Sequence, residues 1–99
     1  MRRLCSVSVY VDKSLYDYGR LIAVCHMIAD TPDELHAMAD AIGVARKWFQ
    51  DPRTMKVSHA HYDIAKSKRA LAVEAGAVEC DRVAFVTALR RIHASGVFR

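Results

Sequence analysis

The sequence predicts an α/β or α+β domain, with a small mixed sheet of three to four strands packed by about three helices. Three observations lead to this prediction. The chain has 99 residues, which is enough for one hydrophobic core and too few for two. Apolar residues make up 53% of it and charged residues 26%, as in a folded globule. Strand-like and helix-like patterns are interspersed along the chain. We therefore expect a single layered domain covering residues 1–99.

Five segments have features of strands or extended chain. Residues 5–12 alternate apolar and polar side chains, which is typical of a half-buried strand. Residues 21–29 are nearly all apolar, as in a strand buried on both faces. Shorter extended segments are predicted at 44–50, 56–61 and 77–80, with a turn at Asp51-Pro52-Arg53.

Three helices are predicted from their boundary residues. Thr31-Pro32-Asp33-Glu34 has the spacing of a capping box, and the helix it begins is expected to end at Gly43. A second helix is predicted from about Lys66 to Ala75. Asp81 is expected to cap a third, which ends near Ser95-Gly96.

The charge distribution favours an anionic partner. Residues 1–50 hold six Lys/Arg and six Asp/Glu, whereas residues 51–99 hold nine and five, so the whole +4 excess lies in the second half. Nucleic acid is one such partner, although nucleic-acid-binding domains usually show a denser basic stripe. The three cysteines lack a CxxC spacing, which is typical of buried reduced thiols in a cytoplasmic protein.

No membrane association is predicted. The mainly apolar run that follows the first three residues contains too many polar side chains for the hydrophobic region of a signal peptide. No segment of the sequence approaches the roughly 20 apolar residues that span a bilayer. The sequence leaves the oligomeric state open.

The segment 66–69 is the strongest indication of a ligand. Lys66, Lys68 and Arg69 fall at the predicted start of a helix, where the helix dipole disfavours cations, and a bound anion would resolve the conflict. Ser67 could add a hydroxyl donor. The alternative is a solvated basic face without a ligand.

His59, His61 and Asp63 would share one face of an extended segment, with Tyr62 opposite. Two imidazoles and a carboxylate suit a divalent metal or general acid–base catalysis. The HxHxD spacing is not diagnostic, and an ordinary surface or turn role is the more usual one for His59. The sequence predicts no cofactor, and it leaves a bound divalent metal ion as an alternative.

Three further interpretations concern residues earlier in the chain. His26 is either a neutral core histidine bonded to backbone or part of a pocket beside Asp12, which is itself either a ligand-site residue or a simple turn residue. Arg20 lies in a loop that is either a lid over a ligand or an ordinary hairpin connection. Trp48 and Phe49 could stack on a base, although core packing is the more common role.

An ordered series of motifs carries a resemblance to a known family. The series is Val9-Tyr10-Val11-Asp12, Gly19-Arg20, Cys25-His26-Met27, Ala29-Asp30-Thr31, Glu34-Leu35-His36, Trp48-Phe49, His61-Tyr62-Asp63 and Ser67-Lys68-Arg69-Ala70. Over about residues 7–80 it resembles a bacterial and phage domain of unknown function, number four thousand and thirty-one. Members often have Thr-Pro or Ser-Pro before Ser-Lys-Arg, whereas this chain has Ala65-Lys66.

The family brings no established activity, but the resemblance implies that its recurrent polar residues form one constellation. These residues are Asp12, Arg20, His26, His61, Tyr62, Asp63, Lys68 and Arg69.

Three functional hypotheses follow. The leading one is a domain that binds a phosphate-bearing ligand, a nucleotide or nucleotide-derived signal. The residues predicted to bind it are Arg20, His26, His61, Tyr62, Asp63, Ser67, Lys68 and Arg69. The second is a hydrolase of a phosphodiester or phosphate ester, with catalytic candidates His26, His61, Asp63 and Asp12 acting by acid–base or metal chemistry. The third is a nucleic-acid or protein adaptor that uses the basic second half.

Overall fold

A computed structural model describes residues 8–13, 16–18 and 22–98, and the side chains of residues 8–13 and 24–98. The elements in chain order are β1 (Val9–Asp12), β2 (Tyr16–Tyr18), β3 (Ile22–Ala29), α1 (Pro32–Ile42), a 3-10 turn (Arg46–Trp48), β4 (Tyr62–Ala65), α2 (Lys66–Glu74), β5 (Val78–Cys80) and α3 (Arg82–Ser95).

The sheet is mixed and four strands wide, with β3 near its middle. Met27 pairs with both Val11 of β1 and Tyr62 of β4, so β1 and β4 lie on opposite edges of β3. Val24 likewise pairs with Tyr16 of β2 and with β4, which places β2 on the same edge as β1. Strand β5 extends the sheet parallel to β1. The prediction of three helices around a small mixed sheet is confirmed.

The pairing of β1 and β2 with β3 is interrupted at one point. Met27 pairs with Val11 of β1 and Val24 pairs with Tyr16 of β2, whereas Cys25 and His26 have no register partner in β1 or β2 as the structure describes them. Here the Asp12 side chain supplies the missing acceptor, because the His26 main-chain N–H donates to Asp12 Oδ1 over 3.1 Å.

The helices cover both faces of the sheet. Because side chains alternate along a strand, Cys25 and Met27 of β3 enter one core with residues of α1 and α2, while Ile28 enters a second core with α3. Cys25 and Cys80 are buried free thiols, and burial raises the pKa of Cys25 to about 12. Among the helices of the described residues, none has both the length and the apolar content to cross a membrane.

The boundaries of α1 are as the sequence predicts. Thr31 Oγ1 accepts from the Glu34 main-chain N–H at 3.2 Å, and the Thr31 hydroxyl donates to Glu34 Oε1 at 2.9 Å. The other Glu34 oxygen accepts from Ser8 N–H at 2.9 Å, which ties the helix to the chain entering β1. Gly43 ends the helix in the left-handed conformation, with φ of 79°.

The later boundaries also agree with prediction to within a residue or two. Helix α2 begins at Lys66, β5 covers Val78–Cys80, and the Asp81 carboxylate caps α3 by accepting from Ala84 N–H at 2.8 Å.

Two predicted extended segments are wrong. Residues 44–50 contain the 3-10 turn, because local bonds from Trp48 N–H to Ala45 and from Phe49 N–H to Arg46 replace a strand ladder. Trp48 is consequently 61% exposed and does not pack in the core, whereas Phe49 does pack against it. Residues 56–60 form an irregular loop, and the strand after it starts only at Tyr62.

Candidate functional site

Strand pairing brings His26 and the His61–Asp63 segment together. His26 of β3 is the direct register partner of Asp63 of β4, so their side chains lie side by side on one face of the sheet. His61 precedes β4 by one residue and lies on the same face. An isolated bridge between Gln50 and His61 adds the Gln50 side chain to this edge. The two segments therefore share one site.

Four side chains form what we term the His–Asp cluster: Asp12, His26, His61 and Asp63. His26 Nδ1 lies 3.3 Å from Asp12 Oδ2, and His26 Nε2 lies 3.5 Å from Asp63 Oδ1. His61 Nε2 lies 3.3 Å from the same Asp63 oxygen. The other Asp63 oxygen accepts from Gln50 Nε2 at 2.6 Å. The cluster is half-buried, with the His26 side chain 31% exposed.

The hydrogen-bond partners fix which ring nitrogens of the cluster carry protons. His61 Nδ1 lies 2.8 Å from the His59 carbonyl oxygen, which can only accept, so Nδ1 carries the proton and Nε2 presents a lone pair when the ring is neutral. His26 faces a carboxylate oxygen at each ring nitrogen, and its neutral form carries the proton on Nδ1, which lies nearer to its partner (3.3 Å to Asp12) than Nε2 does (3.5 Å to Asp63). Both Nε2 atoms point at Asp63 Oδ1, which is buried and has no hydrogen-bond partner among the described residues.

The two imidazoles of the cluster differ in proton affinity. The hydrogen bond to Asp12 raises the pKa of His26, and the Asp63 carboxylate acts in the same direction. Burial lowers the pKa of His61. His26 therefore holds an extra proton more readily than His61 does, an arrangement suited to one acid and one base.

His59 contributes differently from the prediction. Its carbonyl orients His61, but the atoms that converge within 4.8 Å of one another belong to His26, His61 and Asp63. The His59 ring is partly buried with its Nδ1 2.9 Å from Ser58 Oγ, while its Nε2 is buried and without a hydrogen-bond partner in the described part of the chain. Burial lowers the pKa of His59 to about 4, helped by His61 and His26.

Arg69 supports the cluster from α2. Its Nε donates to the main-chain oxygen of Asp12 at 2.9 Å, and its Nη1 lies 2.8 Å from Glu79 Oε1. The Arg69 side chain is only 16% exposed. Arg69 is thus joined to Asp12 as the sequence suggested, but two of its donor groups are already engaged within the protein.

Lys68 lies in a cleft beside β4, which we term the Lys68 cleft. It has a volume of about 480 Å³ and is lined by Val24, Gly43, Val44, Ala45, Trp48, Gln50, Asp63, Ile64, Ala65 and Lys68. The Lys68 ammonium forms no ion pair with any residue that the structure describes. Gly43 leaves room for it, since a Cβ there would lie 3.2 Å from Lys68 Nζ. Ser67, in contrast, is exposed.

Comparison with known proteins gives the chain a family. A family model described as "Protein of unknown function (DUF4031)" matches residues 9–92. The chain belongs to this family. All four members of the His–Asp cluster and all residues lining the Lys68 cleft fall within the matched DUF4031 region. No curated protein and no solved structure matches the chain.

Within this DUF4031 domain, Tyr62 does not join the predicted constellation. Its side chain is fully buried on the opposite face of β4, as period-two alternation requires, and its hydroxyl lies 2.7 Å from His36 Nδ1. The placement of Tyr62 in a ligand site is therefore corrected, because the ring fills the core beneath α1. Arg20, also predicted for the site, lies outside the described residues of the DUF4031 domain.

Gln50 and Phe85 are site residues of the DUF4031 domain that the sequence did not indicate. Gln50 reaches Asp63 only because of its bridge to His61. The Phe85 ring of α3 lies over His26 with centroids 6.4 Å apart and planes 28° apart. The sequence around Gln50 and Phe85 does not indicate these contacts, because Gln50 is a single glutamine before a turn and Phe85 is one apolar residue of a helix.

The His36–Tyr62 contact predicts a pH dependence of stability in the DUF4031 domain. Burial lowers the pKa of His36, and the Arg46 guanidinium acts in the same direction. Below about pH 6.5 the unfolded chain therefore binds more protons than the folded one, so stability falls as the pH drops. Urea denaturation at about pH 7.5 and about pH 5 should show a larger loss for the wild type than for His36→Gln. Equal losses would contradict the assignment.

Proposed function

We propose that this domain binds a phosphate-bearing ligand, a nucleotide or nucleotide-derived signal, in the Lys68 cleft. The observation that carries the proposal is the Lys68 ammonium, which faces the cleft and forms no ion pair with the described residues. A cation that the protein leaves unpaired at the edge of a cleft is available to an anionic ligand.

The start of α2 supports the same proposal. The N-cap residue Ala65 contributes no side-chain hydrogen bond, and there is no acidic residue in the first turn. Helix N-terminal N–H groups favour anions, whereas Lys66 and Lys68 are unfavourable there unless an anion is bound. Ser67 is exposed at the same turn and is free to donate its hydroxyl to a phosphate oxygen.

The size and lining of the cleft suit the organic part of a nucleotide. A volume of about 480 Å³ lies within the usual range for small-molecule sites. Val24, Val44 and Ile64 contribute apolar surface, and the exposed Trp48 indole offers a face on which a base could stack. The side-chain amide of Gln50 is able to form hydrogen bonds with the polar edge of a base.

Calorimetric titration with mononucleotides, dinucleotides, cyclic nucleotides and inorganic phosphate tests the proposal. Each should be tried with and without added divalent metal. Because the chain has one tryptophan and it lines the cleft, a binding nucleotide should also quench the intrinsic fluorescence of Trp48. Absence of heat and of quenching across the whole panel, with folded protein, would contradict it.

A second candidate is a hydrolase of phosphodiesters or phosphate esters, favoured by the convergence of His26, His61 and Asp63 beside the cleft. His26, with its raised pKa, would protonate the leaving oxygen, and neutral His61 would accept a proton from water. This candidate predicts product formation that His61→Ala abolishes while ligand affinity is largely kept. Ligand binding without any product would eliminate it.

A further inference from the structure

We infer that His26, His61 and Asp63 form a binding site for one divalent first-row transition-metal ion, with Zn²⁺ as the best-matched ion. The ligand atoms are the two Nε2 nitrogens and Asp63 Oδ1. The inference goes beyond phosphate binding and does not rest on it. A metal bound to both Nε2 atoms would take the place of the acid–base roles described above for His26 and His61.

The spacing of the three atoms suits coordination. Zinc binds imidazole nitrogen and carboxylate oxygen at about 2.0–2.2 Å in tetrahedral geometry, which separates neighbouring ligand atoms by about 3.3–3.5 Å. Asp63 Oδ1 lies 3.3 Å from His61 Nε2 and 3.5 Å from His26 Nε2. One ligand atom from each of the three residues lies within 4.8 Å of those of the other two.

The chemistry of the three atoms also suits a cation among them. With Nδ1 of each ring protonated, each Nε2 presents a lone pair to Asp63 Oδ1, itself buried and without a hydrogen-bond partner in the described residues. A cation held between these atoms would be bound by the two nitrogen lone pairs and the carboxylate oxygen together.

Supporting groups around the three ligands resemble those of metal sites. Metal-binding histidines usually donate their other N–H to a carboxylate or a main-chain carbonyl, which fixes ring orientation. Here Asp12 faces His26 Nδ1, and the His59 carbonyl accepts from His61 Nδ1. Gln50 holds the second oxygen of Asp63 and so directs the first towards the histidines.

Imidazole and carboxylate ligands indicate which ions would bind. Two imidazoles and one carboxylate suit Zn²⁺, Co²⁺ or Ni²⁺ better than Mg²⁺ or Ca²⁺, which prefer sites made of oxygen. Three protein ligands leave a fourth position for water or for an atom of a ligand. Asp63 also lines the Lys68 cleft, so the metal site adjoins the proposed phosphate site.

Titration of the chelator-treated full chain with ZnCl₂ alone, followed by calorimetry, tests the inference. We expect one equivalent to bind the wild type saturably and Asp63→Asn to bind at least about 100-fold more weakly, since losing even a supporting partner costs 10–100-fold. Asp33→Asn is the matched control, because it makes the same chemical change at an exposed residue of α1, which packs on the face of the sheet opposite the cluster. Its affinity should equal that of the wild type.

Two outcomes would overturn the site: no saturable Zn²⁺ binding by folded wild type, or equal affinities of wild type and Asp63→Asn. If Asp63→Asn does not fold, Asp12→Asn replaces it, with an expected loss of about 10–100-fold. The visible spectrum of wild type with CoCl₂ gives an independent readout. Intense absorption typical of tetrahedral Co²⁺ supports the site, and the weak spectrum of hydrated Co²⁺ contradicts it. No nucleotide is present, so failure here leaves phosphate binding to its own test.

Discussion

Replacing Lys68 by methionine should weaken binding of the tightest nucleotide in the panel by about 10- to 100-fold. A hydrogen bond between charged groups contributes about 1.5–3 kcal/mol, and methionine keeps the aliphatic chain while removing the ammonium. Calorimetry on the wild type and Lys68→Met measures the difference directly. The wild-type affinity should also fall as salt is added, because the interaction is partly exposed.

Lys66→Met is the matched control for this experiment. Lys66 carries the same charge in the same helical turn, but it is exposed and does not line the cleft. We expect it to cost little, since a solvated cation at this distance is screened. Equal losses for both variants would mean that general positive charge, and not the Lys68 cleft, attracts the ligand.

Asp12→Ala should lower the free energy of unfolding by about 2–3 kcal/mol. The substitution leaves the His26 main-chain N–H without an acceptor in the gap of the sheet and removes the carboxylate beside its ring. An unsatisfied buried donor alone costs about 1–3 kcal/mol. Urea denaturation near neutral pH measures the change.

Asp12→Asn separates the two contributions of this side chain. Asparagine keeps an oxygen that can accept from the His26 N–H but removes the charge, so we expect it to lose clearly less stability than Asp12→Ala. If the two variants are equally unstable, the hydrogen bond across the gap contributes nothing and charge accounts for the whole effect.

Local sequence signals predicted most of the fold. The capping box at Thr31, the glycine at position 43 and the aspartate at position 81 act within one helical turn, so their effects can be derived without tertiary information. The segment at 44–50 was misassigned because its apolar and aromatic residues resemble a strand, whereas local hydrogen bonds form a 3-10 turn. In a short segment, local hydrogen bonds of this kind outweigh the strand propensity of the residues.

The candidate site was only partly predictable. Alternation along the chain correctly placed His61 and Asp63 on one face and Tyr62 on the other, although Tyr62 was still assigned to the ligand. The pairing of His26 with Asp63 depends on the register between β3 and β4, which no local pattern specifies.

The role of Asp12 depends on a gap between strands that only the paired sheet reveals. The same is true of Arg69. Its charge suggested a phosphate contact, but its position beside the Asp12 carbonyl and Glu79 became visible only with the parallel pairing of β1 and β5.

Chemical-shift mapping by heteronuclear NMR tests the central claim most directly. The tightest ligand of the panel, or inorganic phosphate if no nucleotide binds, is titrated into the labelled full chain. We predict one saturable transition that moves the indole resonance of Trp48, the side-chain amide of Gln50 and the main-chain amides at the start of α2. Shifts confined to another surface, or none at saturating concentration, would contradict the account.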